Sequence, residues 1–423
     1  MLIKRMPTPT RHMVLLMLAS IGGNAFGTDW VVTDTGDAGD GTCDATCTLR
    51  EAVDSAGNGD RILFDPALPP PVVVTLTGDA LAIDTTLRIS ANKGMTTVLT
   101  RTGAGRLMEL GGSADVRVEG LAFQDSHMDM TSNGLAEGGA ILAASSTRLE
   151  LRDAVFRNNR IQGSNSGLPL AGPDVRGGAI ASAGQLVMDR CAFVGNRTIG
   201  APGGAADSFV WPGSRVFGAA IYSSGSVSVR NCSFSDNAIT GGYPGGSAFG
   251  GAIYLSTGAV ADISFSTLID NHATPGATLP PNPPGSAVGH AIGNDGTLIL
   301  DSSVIAANVG SSGVACTGAG TSTRNGNYTD DGSCPGVVIA NLDTQFQAID
   351  ANATNPHYFP LGSSAVVDAL PDCLDALGAT LVDVDQLQAP RPGLLAPLPT
   401  CDMGAVEYTG AIFADGLETP PAP

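Results

Sequence analysis

The chain has 423 residues, a net charge of −19, and 56 Gly plus 27 Pro, so a fifth of it disfavours helix. Charged residues make up only 14% against 43% hydrophobic, enough apolar content to fill a core, which excludes a long helical bundle and a disordered chain. An all-β protein of many short strands is expected, and phosphate backbones and anionic lipid surfaces would be repelled by its charge. No nucleic-acid partner is therefore expected. Divalent cations, neutral glycans and proteins suit it better.

Residues 1–27 read as a secretory leader. Lys4, Arg5 and Arg11 precede the apolar run Met13–Ile21, and Ala25-Phe26-Gly27 supplies small residues at a cleavage site. Losing those three positive charges takes the net charge from −19 to −22 and leaves one lysine, Lys93. The apolar run is too short to span a bilayer, and no later stretch reaches the roughly 20 residues required, so no transmembrane span is expected. In an exported chain the eight cysteines read as disulfides. Cys43 lies close to Cys47, Cys316 and Cys334 bracket a Gly/Asn/Asp loop, and Cys373 and Cys401 bracket the next segment. Zinc is the competing reading, without a C-x-x-C pair to support it.

The loop after Trp30-Val31-Val32 carries Asp34, Asp37, Asp40 and Asp44. These offer oxygen ligands of the kind calcium takes, but not at EF-hand spacing. A Gly/Asp turn is the plainer reading. No other cofactor is implied.

From Gly138 onward a short motif recurs: Gly138–Ile141, Gly177–Ile180, Gly218–Ile221, Gly250–Ile253 and Gly289–Ile292, with starts 39, 41, 32 and 39 residues apart. Between the motifs lie rows that align as VRVEGLAFQDS (116–126), LELRDAVFRNN (149–159), LVMDRCAFVGN (186–196), VSVRNCSFSDN (227–237), ADISFSTLIDN (261–271) and LILDSSVIAAN (298–308). Their first, third and eighth columns are apolar and alternate with period two, the signature of strands with one buried face. Each period holds two or three strands and no helix. That excludes a four-stranded propeller blade and predicts a right-handed parallel β-helix over about 72–308, with Phe123, Phe156, Phe193 and Phe234 stacked inside.

The eleventh column is Ser126, Asn159, Asn196, Asn237, Asn271 and Asn308. It predicts a bend whose Asn residues adopt left-handed backbone and hydrogen-bond to one another from coil to coil. The fourth column (Glu119, Arg152, Asp189, Arg230, Ser264, Asp301) alternates in sign at first and predicts an outward charge ladder. Cys191 and Cys232 share the sixth column and should stack as small hydrophobes, with a disulfide as the alternative.

The hexad Cys47-Thr48-Leu49-Arg50-Glu51-Ala52, with Cys43 before it, resembles the C-S-L-R-E-A module of exported bacterial β-helix proteins, Thr48 replacing Ser. Asp385-Gln386, Arg391-Pro392 and Cys401-Asp402-Met403-Gly404-Ala405 resemble the choice-of-anchor region that ends such proteins, although Leu387-Gln388 stands where Arg-Gly is usual. The tail Ile412–Glu418 resembles a terminal signature of secreted proteins of Gram-negative bacteria. The resemblance implies a pectin-lyase-like β-helix outside the cell or on its surface. The divisions expected are a leader (1–27), a cap (28–71), the β-helix (72–310), a disulfide-containing anchor-like region (311–408) and a tail (409–423). In the cap, Thr48 with Glu51 three residues on reads as a capping box for a short helix lying across the first coil.

No G-x-S-x-G, H-E-x-x-H or Walker motif is present. Two functions compete. Insertions at 160–176, 197–217, 238–249 and 272–288 should crowd one side. They carry Phe209, Trp211, Phe217, Tyr243, Phe249 and Pro280–Pro284, which favours a surface scaffold binding a polysaccharide or a surface protein, with Phe209, Trp211 and Tyr243 as ligand-binding candidates. The alternative is a polysaccharide lyase or glycoside hydrolase using Asp174, Arg176, Asp207, Arg215, His127, His272 or His290.

Overall fold

The computed structural model describes residues 27–408 apart from 94–95, 131–134, 166–168, 207–208, 309–313, 319, 322–325, 379 and 392–399. The leader before Gly27, Asp207, Pro392 and the tail 409–423 lie outside the described residues.

Three parallel sheets run the length of the molecule. The first has ten strands, from Asp29–Val32 and Asp60–Phe64 through Asp115–Glu119 and Gln185–Asp189 to Gly320–Thr321. The second, also of ten strands, runs from Val72–Leu76 through Leu121–Gln124 to Val337–Val338, and the third has eight, from Leu81–Ile83 to Cys316–Thr317. Each coil passes from first sheet to second to third, so every strand pairs with its counterpart one coil away. This is the parallel β-helix expected from the rows. The ladder exceeds the expected 72–308 at both ends: the cap segment contributes Asp29–Val32 and Asp60–Phe64, and the last coil reaches Val338.

The row columns map directly onto the coil. First- and third-column residues such as Leu149 and Leu151 point inward from the first sheet, and the eighth-column phenylalanines point inward from the second. Phe123, Phe156, Phe193 and Phe234 are fully buried and stack at centroid distances of 4.7, 4.8 and 4.9 Å. The asparagine ladder is continuous from Asn159 to Asn308. Each Nδ2 donates to the next Oδ1 at 2.9–3.0 Å, and Ser126 starts the row by donating to Asn159. The left-handed backbone is not on these asparagines but one position earlier, at Asp125, Asn158, Gly195, Asp236, Asp270 and Ala307. The bend is made by the tenth column, which frees the eleventh side chain to point inward and bond.

Left-handed residues also fill the fifth column, Gly120, Asp153, Arg190, Asn231, Phe265 and Ser302, at the corner between first and second sheets. In the Gly motifs the first glycine (Gly138, Gly177, Gly218, Gly250, Gly289) has φ between 61° and 71°. Where the second position is also glycine (Gly139, Gly178, Gly251) it is closed in by backbone, a Cβ on Gly139 falling 2.1 Å from the Gly178 carbonyl oxygen, whereas Ala219 and His290 occupy it in the other two motifs.

Helix α1 (Leu49–Ser55) closes the N-terminal end, packing Leu49, Ala52 and Val53 onto the first coil. Its capping box is complete: the Glu51 amide donates to Thr48 Oγ1 at 3.2 Å and the Thr48 amide to Glu51 Oε2 at 2.9 Å. Disulfides join Cys43–Cys47, Cys316–Cys334 and Cys373–Cys401, as expected from their places in the chain. Cys191 and Cys232 are free thiols buried side by side, the Cys191 amide donating to Cys232 Sγ at 3.3 Å.

Beyond Val338 the chain turns back along the outside of the helix. It covers the outward face of the second sheet, where Ser233, Ser235, Thr267, Ile269, Val304 and Ala306 are buried. Ser233 donates to Gln386 Oε1 at 2.6 Å, Ser235 shares a hydrogen bond with the Tyr358 hydroxyl at 2.7 Å, and the Ala405 amide donates to Thr267 Oγ1 at 3.0 Å. Four of the residues that resemble the anchor region, Asp385, Arg391, Asp402 and Gly404, meet with Glu407 in one buried knot. Arg391 donates to Glu407 and to the carbonyls of Asp402 and Gly404, with its guanidinium 4.6 Å from the centre of the Phe265 ring. No helix among the described residues is long and apolar enough to cross a membrane.

Candidate binding surface

The insertions between the Asn bend and the Gly bend are not free loops. Each begins with a strand of a fourth parallel sheet (His127–Asp129, Arg160–Gln162, Arg197–Ile199, Ala238–Thr240, His272–Thr274) and ends with one of a fifth (Ala136–Glu137, Val175–Arg176, Val216–Phe217, Ala248–Phe249, Ala287–Val288). The small residues Ala136, Val175, Val216, Ala248, Ala273 and Ala287, with Ile161 and Ile239, form a second core between these sheets. The coil is thereby drawn out into a fin along one side, as the shared position of the insertions predicts.

At the outer edge of the fin, backbone packs on backbone. The Gly242 amide donates to the Ser214 carbonyl at 2.9 Å, Gly246 to Gly242 at 2.8 Å and Gly276 to Gly246 at 2.7 Å. A Cβ on Gly242 would lie 1.9 Å from the Ala201 oxygen, so this layering admits only glycine there. The Gly203 amide donates to the Tyr243 carbonyl at 2.8 Å, and Asn282 Nδ2 to the Val210 carbonyl at 2.6 Å, joining three successive insertions. Their edge therefore has a fixed shape.

Phe209, Trp211 and Tyr243 stand on this edge, 43%, 37% and 47% exposed. Phe209 and Trp211 meet edge to face at 5.0 Å, and the Tyr243 ring makes no ring contact among the described residues. Phe217 and Phe249 differ from the expectation. They stack at 5.4 Å in the corner between fifth and third sheets, packed with Tyr222 and Tyr254, which leaves them as part of the wall. Arg176 lies 4.9 Å from the Tyr222 ring centre and Arg215 5.6 Å from that of Phe217.

Three of the seven catalytic candidates come together. Asp174 accepts from Arg215 Nε and Nη2 at 3.0 and 2.8 Å and from Arg176 at 3.3 Å, and Arg176 also reaches Glu137 at 3.0 Å. Every charge in this cluster is answered by an opposite one, which makes it a brace between insertions. His127 lies elsewhere, against Asp129 at 2.8 Å. His290 is buried in the Gly bend, where its Nδ1 accepts from the Ala273 amide at 3.0 Å, and burial pushes its imidazole down. His272 lies in the fourth sheet on the coil before, and Asp207 is outside the described residues.

The four calcium candidates do not converge. Asp34, Asp40 and Asp44 each accept from the amide two residues on, closing separate turns. Burial alone would raise the Asp37 carboxyl. Arg50 at 2.8 Å and the amides of Gly78 and Thr77 hold it below the usual range, tying the loop to the cap helix. No group of three or more His, Cys, Asp or Glu suited to a metal occurs among the described residues.

The fourth-column ladder is partly present. Asp189 accepts from Arg230 at 3.2 Å and Arg190 at 2.6 Å, whereas Arg152 turns to Glu150 at 2.7 Å. The sequence gives no sign of Asp262. It lies in a cleft of about 180 Å3 between the first sheet and the returning C-terminal segment, lined also by Ser228, Arg230 and Asp375. Burial raises the Asp262 carboxyl, against a Ser228 hydroxyl bond at 2.9 Å, and the Asp375 carboxylate adds to the rise. Only the fold brings these two acids together.

No protein-family model, curated protein or solved structure matches the chain.

Proposed function

We propose that this chain is an exported surface or extracellular β-helix scaffold that binds a glycan through the outer edge of its fin. The observation that carries the reading is the trio Phe209, Trp211 and Tyr243, held exposed on an edge that glycine packing makes rigid. Exposed aromatic faces on a preformed surface suit the apolar faces of sugar rings, and the rigidity lowers the entropy lost on binding. Three disulfides and the leader-like N-terminus support export, and the resemblance to C-S-L-R-E-A and pectin-lyase-like proteins supports a Gram-negative cell surface or its exterior.

The test is a polysaccharide panel probed with the purified mature protein. A glycan should bind and lose at least about tenfold affinity in Trp211→Ala or in Phe209→Ala with Tyr243→Ala, of the order expected for aromatic contacts. Equal binding by wild type and these variants refutes the site, and binding to a surface protein alone refutes the glycan. A second reading, a polysaccharide lyase or hydrolase, draws on Asp262 and Asp375, because a carboxyl raised by burial beside another is the arrangement of a general acid. New reducing or unsaturated ends on the same panel, abolished by Asp262→Asn, would favour it.

A further inference from the structure

The outward second column of the rows continues into the cap as Asp29, Arg61, Arg88, Arg117 and Glu150, paired rung by rung in the first sheet. Three arginines therefore stand on three successive rungs, roughly 4.8 Å apart along the stack. Like charges directly opposite are unfavourable. The ends of the run are neutralised: Arg61 makes a two-pronged pair with Asp29 at 2.7 and 2.6 Å, and Arg117 pairs with Glu119 at 3.3 Å. Arg88, in the middle, is exposed and has no ion-pair or side-chain hydrogen-bond partner among the described residues.

Arg61, Arg88 and Arg117 line a surface groove of about 450 Å3 with Asp60, Asp115, Arg148 and Glu150. Four guanidinium groups face it against three carboxylates, and each carboxylate is already committed. Asp60 accepts from the Thr28 and Gly57 amides and the Trp30 indole, Asp115 from Arg148, and Glu150 from Arg148 and Arg152. Arg61, Arg117 and Arg148 are thus answered by Asp29, Glu119, Asp115 and Glu150, and Arg88 is the guanidinium of the groove left without a counter-charge among the described residues.

We propose that this groove is an oxyanion-binding site centred on Arg88, with Arg61 and Arg117 as flanking donors. A guanidinium presents five N–H donors in a planar fork that fits sulfate, phosphate or carboxylate with two parallel bonds. An oxyanion lying across the middle rung would give Arg88 the counter-charge that Arg61 and Arg117 already have. The groove is open along the first sheet, so the group it takes can be free in solution or carried on an acidic polysaccharide. The site lies away from the aromatic edge and stands or falls independently of it.

Calorimetric titration of the mature protein at low ionic strength with sodium sulfate, dextran sulfate and neutral dextran tests the assignment. Dextran sulfate should bind, neutral dextran should not, and added NaCl should weaken the binding as screening requires. Arg88→Gln should lower affinity about tenfold or more, the scale of a lost charged hydrogen-bond pair. Arg197→Gln, on the fourth sheet, should leave it unchanged. Free sulfate binding with the same dependence on Arg88 shows that the ion alone is sufficient, and binding of the polymer only shows that the oxyanion must be polymer-borne. Absence of binding by both, or equal binding by wild type and Arg88→Gln, overturns the proposal. Arg88 holds no partner, so its variant should keep the wild-type circular dichroism and melting. Should it not, Arg117→Gln provides the same comparison.

Discussion

Arg391 donates to Glu407 across 2.7 Å with both side chains sealed from water, 0% and 1% exposed. The pair ties two stretches of the C-terminal segment together, with the Arg391 guanidinium over the Phe265 ring at the corner of the coil. Removing one member of such a pair strands the other charge in the interior. Arg391→Met should therefore cost about 3–5 kcal/mol, and limited proteolysis should find residues 340–408 cut while the coils remain intact. Uniform digestion of the whole chain would show that the segment and the β-helix unfold as one.

Asp402 belongs to the same knot, and burial pushes its carboxyl up to about 6 despite hydrogen bonds from the Asp368 and Tyr408 amides and the nearby Arg391. A carboxyl raised in the fold contributes stability that is fully present below its unfolded value, near 4, and lost as pH rises through about 6. Asp402→Asn lacks this titration. Between pH 7 and pH 4 the wild type should gain on the variant by up to about 3 kcal/mol, whatever constant difference the amide introduces. Parallel stability curves for the two proteins over that range would contradict it.

Phe193 lies between Phe156 and Phe234 at 4.8 and 4.9 Å. Phe193→Ala opens a hole in the middle of the stack that neighbouring coils cannot close without breaking their ladders. Urea denaturation should show a loss of about 3–5 kcal/mol.

In the asparagine row, Asn196 accepts from Asn159 and donates to Asn237 and to the Phe156 carbonyl. Asn196→Ala takes from the buried Asn159 amide and side chain their shared acceptor and from Asn237 one of its two donors, and should cost about 2–3 kcal/mol. Ser126→Ala, at the end of the row where one hydroxyl bond is lost, should cost about 1 kcal/mol.

Cys191 and Cys232 touch as thiols, and burial holds the Cys232 thiol well above its ordinary range, so it stays protonated and inert. The double alanine variant should lose only packing, about 1–2 kcal/mol. Its response to reductant, which then reports the three disulfides alone, should match that of the wild type.

The repeat itself was legible in the chain because a parallel stack imposes the same inside–outside alternation on every coil. The phenylalanine column, the asparagine row, the glycine bends, the capping box at Thr48 and Glu51 and the three disulfides follow from local spacing. Alignment of the columns could not say which of two adjacent bend residues is left-handed, since Asn suits either role. It also could not say where Arg152 turns, because Glu150 and the fourth-column acids are all within a side chain's reach. The return of residues 339–408 onto the second sheet depends on contacts between segments as distant as Ser233 and Gln386, and no periodicity records them. For the same reason the meeting of Asp385, Arg391, Asp402 and Glu407, the sharing of one cleft by Asp262 and Asp375 and the isolation of Arg88 among arginines belong to the tertiary structure alone. Period-two alternation fixes which way each side chain faces, and only the folded chain determines what it faces.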